Sequence, residues 1–340
     1  MKTISIGLVG LGRHGARYAR HLRDGIPGLS LGAVCRRDRA AGEALAREAG
    51  ARFHADARAL AADPAVDAVV VATPHDRHAE AALAALALGK PVLVEKPLAG
   101  RLEEGEAIAR AAAAAPGAPA AMVAQTLRFE PGVRAFRDAL VGMGGPLALH
   151  LLLRGEDRNA GPDGRWRGDG NDGGALLDAG VHFFDLVTDL GLGRVARAWA
   201  RTAHHLGYPV EDAFTAVLET ARCSVTVDVT RVGGSRWELV EALTPSGVLV
   251  LDRFGESLTR IVDRGRTPLP FARGVSTLPI VLAAFRDAVL GRAPVPIPIA
   301  DGLRALRIAE ACRASARREA WVDVEPAPGV EASAGRPAPS

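Results

Sequence analysis

Ile4-Ser5-Ile6-Gly7-Leu8-Val9-Gly10-Leu11-Gly12-Arg13-His14-Gly15 is the stretch on which the reading of this chain turns. Its first half is short, apolar and rich in branched side chains, the pattern of a buried strand. Its second half satisfies G-x-G-x-x-G, and each glycine has a physical task. Gly10 makes a tight turn, Gly12 lets the backbone come close to a pyrophosphate, and Gly15 allows a helix to pack against the strand. The helical spacing of Gly15 to Arg23 follows, so the free N–H groups at its start face whatever the turn binds. Gly10, Leu11, Gly12, Arg13, His14 and Gly15 are therefore the expected contacts of a dinucleotide.

The alternation continues to about residue 120. Short β-branched runs at Leu29 to Cys35, Ala68 to Ala72 and Pro91 to Glu95, with a further one at Ala121 to Gln125, are separated by helical stretches at Ala40 to Glu48 and His78 to Leu88. Strands alternating with helices predict βαβ units and a doubly wound parallel sheet, an α/β Rossmann domain over 1–124. After residue 125 the strand-like runs follow one another with turns between, at Leu147 to Leu153, Ala213 to Glu219, Ser224 to Thr230 and Gly247 to Asp252. One helix interrupts them at Gly174 to Leu190, and two close the chain at Thr277 to Leu290 and Ile299 to Arg318. This predicts an α+β domain with an open, mainly antiparallel sheet over 125–325, its last helix a candidate to pack back on the first domain. Residues 326–340 are rich in Pro, Ala, Gly and Ser without an apolar period and read as a disordered tail.

Composition narrows the function classes. The 340 residues are 48% hydrophobic and 24% charged, with a formal net charge of +3. No apolar run approaches the roughly 20 residues that span a bilayer, so no membrane partner is expected. The immediate entry into a strand leaves no room for a signal peptide, and a cytoplasmic protein is the expectation. Positive residues are scattered among acids instead of gathered in a tract, which argues against nucleic acid. Cys35, Cys223 and Cys312 have neither disulfide nor metal-ligand spacing. His204-His205 lacks an acid or cysteine at metal spacing, so no metal is expected. Lysine occurs only at Lys2, Lys90 and Lys96, so a lysine inside a motif stands out from this chain's arginine-rich background.

The end of the second strand bears on the kind of dinucleotide. An acid there would hold the ribose 2′-hydroxyl of NAD. This chain has Cys35-Arg36-Arg37, and arginine suits a 2′-phosphate. Arg36 and Arg37, with Arg13 nearby, predict NADP, while Asp38 keeps NAD open. The competing reading is a pair of solvated loop arginines.

Three further segments extend the pattern: Ala72-Thr73-Pro74-His75-Asp76-Arg77-His78, Gly89-Lys90-Pro91-Val92-Leu93-Val94-Glu95-Lys96-Pro97, and Gly173-Gly174-Ala175-Leu176-Leu177-Asp178-Ala179-Gly180-Val181-His182-Phe183-Phe184-Asp185. In this order, and from residue 3 to about 325, the chain resembles the Gfo/Idh/MocA family, relatives of glucose-fructose oxidoreductase and inositol dehydrogenase. Physically, Lys96 falls just beyond a parallel strand, at the carboxyl edge where such sheets bind ligands. The isomer of the Lys96–Pro97 bond is left open by the sequence. Asp178 and His182 are four residues apart and share a helix face.

The resemblance implies that Lys96, Asp178 and His182 are catalytic and touch substrate. It implies hydride transfer between nicotinamide and a hydroxyl or carbonyl carbon of a sugar, cyclic polyol or derivative. His182 would be the proton acceptor, Lys96 would stabilise the reacting oxygen, and Asp178 would orient the hydroxyl. It further implies cofactor contacts at Thr73, Pro74, His78, Glu95, Lys96, Gln125, Trp166 and Arg167, and a substrate contact at Arg128. Alternatives are that His78 simply starts its helix and that Arg167 is a solvated loop charge. Glu211 and Asp212 read as structural. By the same resemblance the second domain would carry substrate and oligomer contacts, giving a homodimer or homotetramer. Two other functions stay open: redox-assisted elimination or hydrolysis with a recycled cofactor, and a non-catalytic dinucleotide-binding sensor.

Overall fold

The computed structural model describes residues 3–155 and 173–326, and the chain divides into two compact units. Trp166, Arg167 and the expected tail beyond residue 326 lie outside the described residues. In the first unit, β1 (Ile4–Val9), β2 (Leu29–Cys35), β3 (Arg52–His54), β4 (Ala68–Val71), β5 (Val92–Glu95) and β6 (Ala121–Ala124) form one parallel sheet, in the order β3-β2-β1-β4-β5-β6. Strands β4 and β5 are buried at every residue, as parallel strands are when helices cover the sheet.

The connecting helices are α1 (Arg13–Asp24), α2 (Arg39–Ala49), α3 (Ala57–Ala62), α4 (His78–Ala87) and α5 (Leu102–Ala114). The start of α2 is fixed by Asp38, whose side chain accepts from Ala41 N, and its end by Gly50 in the left-handed region. The sequence reading missed β3 and α3, which at three and six residues are too short to display a period. The strand order reverses between β1 and β4, and that switch point is where doubly wound sheets place their ligands.

The second unit is built on a nine-stranded sheet. It contains α6 (Pro131–Gly142), β7 (Ala148–Arg154), a π-helical turn Leu176–Gly180 continuing into α7 (Val181–Asp189), and then β8 (Val195–Ala203), β9 (Ala213–Thr220) and β10 (Ser224–Thr230). Strands β11 (Trp237–Thr244), β12 (Gly247–Asp252), β13 (Ser257–Val262) and β14 (Gly265–Leu269) follow, with β15 (Val322–Asp323) near the end. Their order is β14-β13-β12-β11-β7-β10-β9-β8-β15, antiparallel except where β7 meets β10 in parallel. Alternation sets the faces: Val225, Val227 and Val229 of β10 are buried, while Ser224, Thr226 and Asp228 are not. Phe184 of α7 packs on Phe214 of β9 with ring centroids 6.0 Å apart.

The division of the chain corrects one expectation. Ser276–Leu303, which hold α8 (Thr277–Val289) and the start of α9 (Ile299–Arg318), belong to the first unit and not to an unbroken second domain. The reason lies at β6, the edge of the first sheet. Val123 N donates to Ile297 O at 3.0 Å, Met122 bridges to Pro298, and the buried Ile297 and Ile299 cover that edge. Arg286 of α8 donates to Pro27 O at 2.7 Å.

Candidate functional site

The carboxyl ends of β1, β2 and β4 open on a groove of about 480 Å³, lined by Gly10, Leu11, Gly12, Cys35, Arg36, Arg37, Thr73 and Pro74. Its shape depends on two close approaches. Gly10 has φ +94°, and a Cβ there would lie 2.6 Å from Thr73 N; a Cβ on Gly15 would lie 1.9 Å from Gly10 O. Gly12 is different: its backbone is extended, at φ −71° and ψ −165°, and a Cβ there would meet nothing within 4 Å.

Open space therefore stands over Gly12, at the start of a helix that no side chain caps. Thr73 Oγ1 is buried and, among the described residues, has no hydrogen-bond partner. A buried hydroxyl is normally satisfied, so this one suits a ligand group. Bare backbone N–H groups, an open cradle and flanking arginines fit a pyrophosphate. Burial pushes the Cys35 thiol up to about 11, so it lines the groove as a neutral group.

The groove also includes Asp38, the residue that kept NAD open, and Asp56, Arg77 and Glu80, which the sequence reading did not place at the site. Asp38 Oδ1 accepts from Ala41 N at 3.1 Å, and its other oxygen is 3.8 Å from Arg36 Nη2. Arg13, His14, Gly15 and His78 are not among the lining residues. Gly15 acts through its approach to Gly10. His78 needs a correction.

His78 is 1% exposed, with Nδ1 2.8 Å from Pro97 O and Nε2 3.0 Å from Thr73 O. It ties the loop after β4 to the turn after β5 instead of reaching for a cofactor. Burial holds its pKa below the ordinary value despite the two carbonyls, and a neutral ring has one N–H to share between them.

Glu95 is corrected in the same way. Its Oε1 accepts from Tyr18 O–H at 2.8 Å and its Oε2 from Lys96 N at 3.0 Å, so the carboxylate is used within the protein. Burial, reinforced by Glu95, keeps Tyr18 well above its usual range and hence a donor. Together these contacts fix the Lys96 turn, where the Lys96–Pro97 bond is cis. Gln125, just past β6, is buried.

In the second unit Asp178 lies in the π-helical turn and His182 in the first turn of α7. The sequence predicted an ordinary helix here. The widened i→i+5 turn, a feature frequent at functional sites, was not legible. Glu211 secures the turn: its Oε1 accepts from Leu176 N at 3.1 Å, and its carbonyl accepts from Ala175 N at 2.8 Å. A Cβ on Gly174 would stand 2.3 Å from the same Oε1, so the glycine is what admits the carboxylate. Arg231, buried just beyond β10, donates from Nη1 to Asp178 Oδ2 at 3.1 Å. No signal in the sequence marks Arg231, because the pairing spans 53 residues.

The Arg128 guanidinium is engaged: Nε donates to Asp185 Oδ2 at 2.7 Å, Nη2 donates to the other oxygen, and Asp189 lies 3.7 Å away.

 The Arg128 side chain is 10% exposed, and that of Asp185 is 1% exposed. The substrate contact expected at Arg128 thus falls on a side chain held in an ion pair inside the second unit. His204 and His205 are also engaged, by Tyr208 O at 3.1 Å and Asp212 Oδ1 at 3.0 Å. Among the described residues no group of three or more His, Cys, Asp or Glu is placed to hold a metal ion.

Residues 4–119 match an oxidoreductase family with an NAD-binding Rossmann fold, and residues 142–243 match the C-terminal domain of the same family. The chain belongs to the Gfo/Idh/MocA family. It is 36% identical over 232 residues to inositol 2-dehydrogenase 2 of Saccharopolyspora erythraea, covering 67% of this chain and 66% of that protein. The chain thus spans about two thirds of that relative's length. It is 29% identical over 343 residues to inositol 2-dehydrogenase of Rubrobacter xylanophilus, covering 95% and 94%.

Among solved structures, an oxidoreductase domain protein from Kribbella flavida superposes with a TM-score of 0.85 at 25% identity, covering 96% of this chain and all (100%) of that one. A levoglucosan dehydrogenase in complex with NADH and levoglucosan gives 0.84 at 23% identity over 95% of this chain and 100% of its own, a likeness of fold. The Gfo/Idh/MocA chain therefore combines a parallel Rossmann-like sheet with a mainly antiparallel second one.

Proposed function

We propose that this chain is an NAD(P)-dependent dehydrogenase or reductase acting on a CH–OH carbon of a cyclic polyol or sugar. The observation that carries the reading is the groove at β1, β2 and β4, with its open space over Gly12 and the buried Thr73 hydroxyl. The dinucleotide, when bound, supplies the hydride acceptor or donor.

The remaining chemistry falls to side chains. In oxidation the carbon gives up a hydride and its hydroxyl a proton, leaving a carbonyl. His182 accepts the proton, Lys96 hydrogen-bonds the reacting oxygen and stabilises the negative charge that builds on it, and Asp178 orients the hydroxyl. In reduction each transfer reverses. The names of the inositol 2-dehydrogenases support a cyclic polyol as substrate.

NADP preference is part of the same proposal. Arg36 and Arg37 line the groove, and both oxygens of Asp38 are drawn towards Ala41 N and Arg36. A 2′-phosphate would gain charge-assisted bonds there. A cytoplasmic setting is supported by the three free, buried thiols, and among the described residues no helix is long and apolar enough to cross a membrane. Self-association is supported by Trp237, Leu243 and Val262, left exposed on strands of the second sheet; light scattering would read it as a dimer or tetramer.

The deciding experiment is a screen of inositols, sugars and sugar derivatives with NAD and NADP in both directions, followed by nicotinamide absorbance. Turnover of a polyol that His182→Ala abolishes, with dinucleotide binding retained, is the expected result. A screen in which His182→Ala turns over as fast as the wild type would overturn the assignment.

A further inference from the structure

Asp178 and His182 cannot act as an acid–base pair unless the carboxylate keeps its charge and direction through the reaction. The side chain of Asp178 is 30% exposed. A cation from another part of the fold faces it. Arg231 follows β10 directly, its side chain is 5% exposed, and its Nη1 donates to Asp178 Oδ2 at 3.1 Å.

The root of that arginine is anchored as well. Arg231 N donates to Asp212 O at 3.0 Å, and Asp212 N donates to Ala203 O at 3.0 Å, so the backbone beneath the guanidinium is pinned between β8, β9 and β10. Its neighbour Glu211 grips the π-helical turn from the other side through Leu176 N and Ala175 N. One loop therefore sets both the turn that carries Asp178 and the cation that faces it.

We propose that Arg231 is a positioning residue of the catalytic group, fixing the Asp178 carboxylate as an anion one helical turn from His182. This rests on the reading of Asp178 and His182 as catalytic. The chemical consequence is a division of labour. A carboxylate held by a buried guanidinium is a poor proton acceptor, because an adjacent cation favours the charged form. The substrate proton then goes to His182, and Asp178 remains an acceptor of hydrogen bonds throughout. Among the described residues, the charged and titratable groups around the turn include His182 on the same helix, Glu211 and Asp212 from the loop before β9, Arg231 just beyond β10, and Arg313 of α9, which donates to Gly173 O at 3.4 Å.

The test uses the full chain with 13C-labelled histidine, titrated by NMR in the wild type, Arg231→Met and Arg231→Lys. The resonance of His182, one of nine histidines, is assigned by its loss in His182→Gln. Removing the cation should move the His182 titration to higher pH by about half a unit or more, and Arg231→Lys should restore it. An unmoved midpoint in Arg231→Met, or a lysine variant that behaves like the methionine variant, would overturn the proposal. Should Arg231→Met fail to fold, Arg231→Gln removes the charge with a polar side chain and is read the same way. The titration needs no turnover, so activity retained by His182→Gln would count against the catalytic reading and leave the ion-pair result to stand by itself.

Discussion

Alanine at Gly12 and alanine at Gly15 should separate ligand binding from folding, although the two positions are three residues apart in one motif. At Gly15 the new Cβ would fall 1.9 Å from Gly10 O, a backbone atom that cannot rotate away. Contacts under about 3 Å are not tolerated, so strand and helix must part by roughly 1 Å, and overpacking of that kind costs about 1–3 kcal/mol of stability. At Gly12 the backbone is extended and the new Cβ would meet nothing within 4 Å. Reduced freedom of the unfolded chain stabilises such a change by about 0.4–1 kcal/mol, offset by alanine's poorer fit at a helix start. Stability should therefore stay within about 1 kcal/mol of wild type.

The methyl group nevertheless occupies the space assigned to the pyrophosphate. Placing the same overpacking cost of about 1–3 kcal/mol on the bound state weakens binding roughly 5- to 150-fold. Urea unfolding of the unliganded protein and fluorescence titration with NADP and NAD measure the two quantities separately. Gly12→Ala should lose affinity and keep stability, and Gly15→Ala should lose both. Undiminished affinity in Gly12→Ala would falsify the placement of the dinucleotide.

Replacing Arg36 and Arg37 together by serine should weaken NADP far more than NAD, by about tenfold or more for each charge-assisted bond lost; equal losses for both cofactors in direct titrations would remove the 2′-phosphate argument. His78→Leu leaves the carbonyls of Thr73 and Pro97 without their ring partner and should cost about 2–5 kcal/mol in urea unfolding, with a loss below about 1 kcal/mol speaking against the tie. Because burial lowers the pKa of His78 in the folded chain, its contribution to stability is complete above about pH 6.5 and is lost as pH falls through the folded value. Acid unfolding should accordingly be less steep in His78→Leu. Arg253 donates to Glu130 and Glu238, so Arg253→Met strands two carboxylates and should destabilise by about 3–5 kcal/mol; a neutral result by calorimetry would show that the network contributes little.

How far the sequence could be read depended on the distance over which each interaction acts. The turn at Gly10 to Gly15 and the alternating strands and helices are local, and periodicity or turn chemistry displays them directly. Short elements such as β3 were hidden because three residues carry no period. Glu95, His78 and Arg128 have partners within the protein that the sequence does not display, because a polar residue at the right place in a motif looks the same whether it faces a ligand or a neighbouring group.

The sequence by itself determined the dinucleotide turn and the two architectures, which follow from spacing along the chain, while Lys96, Asp178 and His182 stand out through the resemblance to the family. Only the tertiary structure decided that Ser276–Leu303 complete the first unit, that His78 and Glu95 serve the Lys96 turn, and that Arg231 meets Asp178. Those facts depend on contacts between segments far apart in sequence, which only the packed sheets bring within hydrogen-bond reach.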